Sequence, residues 1–465
     1  MNALITVSLL AIVVLYLGLY KAGKLLLPVT IAGLLVALVL SVMEWNMDHS
    51  PIYSGMMLYD NFAIAFSSLA IIATILILLL SDGYFERINS PAAECYTLIL
   101  FALAGILVMV SYHNLSMLFI GVEIMSLSLY VLAGIRKKDP SSNEASLKYF
   151  LMGAFSTGFL LFGITLIYGA TGSFDIGDIR DHLLTAGSQQ GQVISPIFYS
   201  GVTLMIIGLC FKIGAAPFHF WTPDVYQGSP TLITTFMSTV VKTAGFAAFF
   251  RLFSFSFLPL QEFWAPVLLT IAALTLVVGN VTALTQQSFK RMLAYSSISH
   301  AGYMLFAIIA LEINSVDAIF LYSFAYSLAS IIAFGSLMLL QYHIGSETFD
   351  SFNGLAKKSP FLALALTISM LSLAGIPLTA GFIGKFMMLS GAVVKGHVWL
   401  AVIGVLNAIV GIVYYFRVII AMYFKDSDTE LTEITIPVYF KIVLGLSAAA
   451  TIILGVYPAL IPNIF

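Results

Sequence analysis

Apolar residues run through this chain in long unbroken stretches, not in two-residue alternation. Stretches of about 17 to 25 residues cross roughly 30 Å of hydrocarbon. Such stretches begin near Ala3, Leu25, Phe62, Cys95, Leu115, Ser146, Ser195, Leu232, Ala265, Met292, Ala318, Pro360, Val398 and Pro437. They predict about fourteen transmembrane helices. Within lipid only helices or closed barrels satisfy every backbone group, and the missing alternation excludes a barrel. The fold class is an all-α polytopic membrane protein. The apolar opening has no charged leader and no small-residue cleavage site, so it reads as the first span and not as a removed signal peptide.

Two of the predicted helices carry a break. In FKIGAAPFHFWTPDVYQGSP, Lys212 precedes Pro217, and in SLAGIPLTAGFIGKFMML, Gly375, Pro377 and Gly381 precede Lys385. Proline removes a backbone donor and clashes with the preceding turn, and the freed carbonyls can hold water beside a lysine. Broken helices at matching places in two halves are the sequence pointer to an inverted-repeat transporter. The chain therefore divides into an N-terminal three-helix segment (1–90), a first five-helix repeat (91–255), a second, inverted five-helix repeat (256–425) and a C-terminal helix (426–465). An odd number of helices per repeat turns the second repeat over in the membrane.

Composition agrees with this reading: of 465 residues 60% are hydrophobic and 9% charged, far from the usage of a soluble domain. The 20 basic and 22 acidic residues leave no basic surface for nucleic acid. Cys95 and Cys210 fit neither a metal site nor a disulfide framework. No nucleotide-binding glycine pattern, heme or iron–sulfur cysteine spacing, or His/carboxylate metal cluster is present, which argues against a redox centre in this chain. Lys21, Lys24, Arg87, Arg136, Lys137, Lys138, Lys290, Arg291, Lys357, Lys358 and Lys425 all fall in loops joining an odd helix to the next even one. Glu44, Asp48, Asp175, Asp178, Asp181, Glu312 and Asp317 fall in the others. By the positive-inside rule the first set is cytoplasmic and both termini lie outside. The linkers Gly172 to Ser195 and Lys425 to Thr435 are too short to be soluble domains.

Away from the loops, Glu123, Lys148, Lys212, Lys242, His300, Lys385 and Arg417 lie inside apolar runs. Each costs roughly 2.5 to 3.5 kcal/mol to insert and marks a functional site by default. Glu123, deep in LFIGVEIMSLSLY, cannot reach either surface and needs a cation or a proton. Lys148, a turn into the next helix, either pairs with Glu123 or extends to the interface. An apolar site disfavours the charged form of Lys212, so small changes around it decide whether it holds its proton. Lys242 is central in its helix, held by a backbone carbonyl or by Glu262 if it has no other role. His219 and Asp224 lie at the first break, Asp224 as a capping residue. His300 either titrates near physiological pH or is a core histidine bonded to a serine hydroxyl.

The motifs GVEIMSLSLYVL, EASLKYFLMGAFSTGFLLFGITLIYGATGS, FKIGAAPFHFWTPDVYQGSP, KRMLAYSSISHAGYML and LAGIPLTAGFIGKF resemble those of the antiporter-like membrane subunits of complex I, the bacterial NADH:quinone oxidoreductase. The resemblance covers nearly the whole chain from the third helix onward, and Glu144 preceding Lys148 narrows it to one branch of that family. It implies a non-redox, proton-pumping role along a central polar axis. On the matching positions Glu123 is the carboxylate of the fifth helix, Lys212 the pumping lysine of the broken seventh and Lys242 the connecting lysine of the eighth. His300 is a central relay, Lys385 the terminal lysine of the broken twelfth helix, and Lys148 a further lysine of the family. It also implies a bacterial inner membrane, membrane-arm partners (subunits M, K, J and A/H), and quinone, FMN and iron–sulfur clusters elsewhere in the assembly. Competing readings are an Mrp-type cation/proton antiporter, with Thr222, Asp224 and Ser229 as oxygen ligands, and an organic-solute transporter.

Overall fold

The computed structural model describes residues 1–47, 50–188, 194–312, 314–426 and 434–460. Asp48, used above for orientation, lies outside them. Among the described residues thirteen helices are long and apolar enough to cross a membrane, and two shorter apolar helices, Pro360–Ala374 and Ala380–Val394, cover a fourteenth span. Each of the fourteen begins within seven residues of a predicted start.

Capping explains where several of them begin. Asn114 accepts from the Ser116 amide at 2.9 Å to open Leu115–Ala133. Asp139 accepts from Ser141 at 3.0 Å, with Pro140 at the first helical position, and so starts Pro140–Thr171 six residues before the predicted Ser146. A proline there gives up no hydrogen bond, because the first-turn amides have no intrahelical acceptor. Ser195 followed by Pro196 opens Pro196–Ile213 in the same way. The predicted linker after Gly172 contains a helix of its own, Ile176–Ser188.

The chain forms two compact units: 1–75, 85–221 and 241–271 make one, and 76–84, 222–240 and 272–465 make the other. In the first unit the Glu123 helix is fixed by close backbone packing on Ala92–Val110. A Cβ on Gly121 would lie 2.7 Å from the Met109 amide nitrogen, and one on Gly105 would lie 2.6 Å from that of Met125. Lipid supplies no hydrophobic drive between helices, so such glycine contacts, which let backbones approach, carry the association. Lys212, Lys242 and Arg251 are buried in this unit. Arg251, inside the run AAFFRLFSF, pairs with Asp60 and lies 4.8 Å from the centre of the Phe62 ring.

In the second unit Phe289–Ala310 and Ser315–Ile344 are almost wholly buried and enclose polar side chains that include His300. Lys290 departs from the loop position assigned to it. It lies in the first turn of Phe289–Ala310 with only 3% of its surface exposed. Arg417, read as an intramembrane charge, instead reaches a loop, donating to the Gln286 carbonyl at 3.0 Å and to Gln287 Oε1 at 2.8 Å. Its long stem lets the guanidinium leave the apolar span.

Gly121→Leu is expected to separate the two packed helices and cost about 1–3 kcal/mol, as overpacking does. A lowered thermal midpoint of the purified protein relative to Gly158→Leu, a site with open space around it, checks this.

Candidate functional site

In the first unit the geometry centres on Lys212. The helix Pro196–Ile213 ends at Gly214, whose φ of 72° is the left-handed conformation that closes a helix without a Cβ clash. The carbonyl of Phe211 accepts both from the Gly214 amide and from the Trp221 indole, each at 3.0 Å, so the break holds an aromatic donor where water was expected. Trp221 stacks on Tyr149 at 4.8 Å, and the Lys212 ammonium lies 5.7 Å from the centre of the Tyr149 ring. Lys212 Nζ donates to Ser126 Oγ at 2.7 Å, and Ser126 in turn donates to the Val122 carbonyl. Ser126 stands one turn after Glu123, and Glu123 is the carboxylate that acts electrostatically on Lys212. One hydroxyl thus ties the lysine to the helix carrying its counter-charge.

Glu123 is not sunk in the unit. It is half-buried, on the same face as the exposed Ile120, Ile124 and Leu127, in the middle of an apolar helix. Lys148 forms an ion pair with Glu144 at 2.6 Å, one turn earlier on its own helix, and its side chain is 38% exposed. Lys242 is buried and stands where a π-helical stretch, Met237–Val241, passes into the α-helical Lys242–Arg251. Such insertions in a helix cluster at functional sites.

In the second unit Lys385 answers the break in the opposite way. Pro360–Ala374 ends at Gly375, φ 82°, and Lys385, in the following helix, turns back to that ending. Its Nζ donates to the carbonyls of Leu373 at 2.7 Å and Ala374 at 3.1 Å, and lies 4.9 Å from the centre of the Tyr303 ring. Helix C-termini carry partial negative charge on carbonyls without intrahelical donors, which suits a cation. Lys290 uses the same device on Trp221–Gly228: its Nζ donates to the carbonyls of Gln227 at 3.0 Å and Ser229 at 2.6 Å. Asp224 in that short helix pairs with Arg291 at 2.9 Å.

His300 is held at both ring nitrogens, Nδ1 by Tyr322 OH at 2.5 Å and Nε2 by Tyr415 OH at 3.0 Å. Tyr415 also bonds Ser296. Beside it, Asn280 accepts from Tyr414 at 2.9 Å and donates to Ser299 at 2.8 Å and to Asn407 at 3.3 Å. These tyrosines and asparagines escaped the sequence reading because each stands alone in an apolar run. Arg251 had a visible signal, a cation amid phenylalanines, and Lys290 looked like an ordinary loop cation. Among the described residues no group of three or more His, Cys, Asp or Glu is arranged to hold a metal ion.

Gly375→Ala puts a methyl 2.8 Å from Lys385 Cδ at a positive φ. It is expected to cost ~1–2 kcal/mol in backbone strain and to push Lys385 off its carbonyls. Loss of thermal stability together with impaired transport checks it, whereas Gly396→Ala, also at positive φ but with open space around it, is expected to lose stability alone.

Residues 111–411 match the family described as NADH:quinone oxidoreductase/Mrp antiporter, transmembrane. The chain is 40% identical to NADH-quinone oxidoreductase subunit N of Cytophaga hutchinsonii, over 100% of this chain and 99% of that protein. It is similar to a chain of respiratory complex I from Thermus thermophilus with bound aureothin (TM-score 0.81, 31% identity, 99% of each chain covered). A chain of the Mrp complex from a Dietzia species shares the fold at a TM-score of 0.85 and 19% identity, over 99% of this chain and 96% of that one.

Proposed function

The chain belongs to the NADH:quinone oxidoreductase/Mrp antiporter membrane family, and from that premise we propose that buried amines, Glu123 and His300 carry protons through it. It is a multi-pass membrane subunit of a respiratory NADH-quinone oxidoreductase, the antiporter-like subunit N. Within that assembly its part is non-redox translocation: quinone, FMN and iron–sulfur clusters belong to neighbouring subunits, and quinone reduction there drives the protons here. The proton-carrying residues are Glu123, Lys148, Lys212, Lys242, His300 and Lys385. The membrane is the bacterial inner membrane, with both termini outside, and the neighbours are membrane-arm subunits M, K, J and A/H. The chain's arrangement is that of two inverted repeats, 91–255 and 256–425.

The observation that carries this reading is the Lys212–Ser126 hydrogen bond beside Glu123. A buried ammonium is stable while a carboxylate faces it and sheds its proton when that carboxylate is drawn to another cation. Glu123 is half-exposed amid apolar surface, where a neighbouring subunit can present such a cation. Proton transfer is then a change of partner. An Mrp-type exchange of sodium has less support, because the likeness to the Mrp complex is one of fold alone.

Lys212→Met and Glu123→Gln are expected to lower NADH-driven proton translocation at least ~10-fold, as loss of a positioned acid or base does, while the complex still assembles. Acidification by membrane vesicles, with subunit content as the control, measures this. Full pumping in both variants contradicts the reading.

A further inference from the structure

At the cation-bearing end of the second unit, one carboxylate collects more hydrogen bonds than any loop needs. Glu347 follows Ser315–Ile344 and is half-buried. Its Oε1 accepts from Ser288 Oγ at 2.8 Å and from Gln227 Nε2 at 3.1 Å, and its Oε2 accepts from Gln341 Nε2 at 3.5 Å. The lysine on the carbonyls of Gln227 and Ser229, Lys290, fixes the strand of backbone beside it. None of these residues takes part in the translocation described above.

Polar side chains then line the way inward. Thr231 Oγ1 donates to Gln341 Oε1 at 2.8 Å. Thr231, Thr235 and Ser238 stand at positions i, i+4 and i+7 of one helix, hence on one face, and all three are buried. Thr235 donates to the Thr231 carbonyl at 2.9 Å, and Ser238 to that of Thr235 at 3.1 Å. The hydroxyls of Ser330, Ser297 and Ser238 lie around the hydroxyl of Tyr326. The Tyr326 ring lies 4.9 Å from the ring of His300. In the same unit the hydroxyls of Ser229 and Ser327, each 1% exposed, have no protein partner. Buried hydroxyls are normally paired, and unpaired ones mark places where water completes the bonding.

We propose that Glu347 is the proton-collecting carboxylate of the second unit and that the hydroxyl row Thr231, Thr235, Ser238 and Tyr326 conducts its proton to His300. Glu347 takes a proton from the aqueous phase at one carboxylate oxygen and releases it to water at the mouth of the row. Water between the hydroxyls carries the proton from one to the next, each hydroxyl giving one proton to water as it receives another, so no net charge forms on any of them. His300 accepts at its unprotonated ring nitrogen from the Tyr322 or Tyr415 hydroxyl bonded there, and that hydroxyl regains its proton from the row through water. Gln227, Ser288 and Gln341 are positioning residues that aim the carboxylate. The proposal rests on the translocation reading above and adds its intake.

The test uses the assembled complex in membrane vesicles, with NADH-driven acidification as readout and subunit content as the control for assembly. Glu347→Gln keeps the acceptor oxygen for Ser288 but cannot hold a proton, and Thr231→Val keeps the shape but removes a hydroxyl. Each is expected to slow acidification at least ~10-fold, with Lys385→Met as the reference for a lost carrier. If both variants pump at the wild-type rate while Lys385→Met does not, the intake is overturned and the translocation reading stands. If Lys385→Met also pumps normally, both fall.

Discussion

A continuous helix has no acceptor to spare for a buried ammonium, because each carbonyl is already bonded to the amide four residues on. In hydrocarbon an unmatched charge is expensive, so a lysine in mid-membrane must be given acceptors from somewhere. The chain makes them by ending helices early. Lys385 holds the last carbonyls of Pro360–Ala374, and Lys290 holds those at the end of Trp221–Gly228. The glycines of the breaks serve the same end, since a left-handed Gly375 both closes its helix and leaves room for the Lys385 stem.

Lys212 shows the other solution. Its break is sealed by the Trp221 indole, and the lysine borrows Ser126 from the Glu123 helix. A neutral carbonyl pair holds an ammonium with constant strength, whereas a partner next to a movable carboxylate can be weakened from outside. The two break lysines therefore differ in kind: Lys212 is bonded to a hydroxyl on the helix of a half-exposed carboxylate, and Lys385 sits on backbone carbonyls beside Tyr303. His300, clamped at both nitrogens by Tyr322 and Tyr415, can pass a proton from one side of its ring to the other without turning.

The spans and both breaks were legible in the sequence because lipid imposes a length and a composition on each helix, and because Pro217, Pro377 and Gly375 interrupt runs that nothing else interrupts. Glu123, Lys212, Lys242 and Lys385 stood out for the same reason. What a linear reading could not supply was partnership across distance. Lys148 was weighed against Glu123 and is found with Glu144; Arg417 leaves the span for Gln286; Lys290 counts as a loop cation until the carbonyls of residues sixty positions away are set beside it. The Tyr322, Tyr415 and Asn280 bonds are of this sort as well, since single tyrosines and asparagines in apolar helices carry no period.

The account turns on buried amines that gain and lose protons during turnover. Infrared difference spectroscopy of the assembled complex labelled with 15N-lysine, recorded on adding NADH, reads this directly. Isotope-shifted ammonium bands that appear and decay with turnover, and that diminish in Lys212→Met and Lys385→Met, are the expected result. Lysine bands that stay unchanged while the complex pumps at full rate would contradict it.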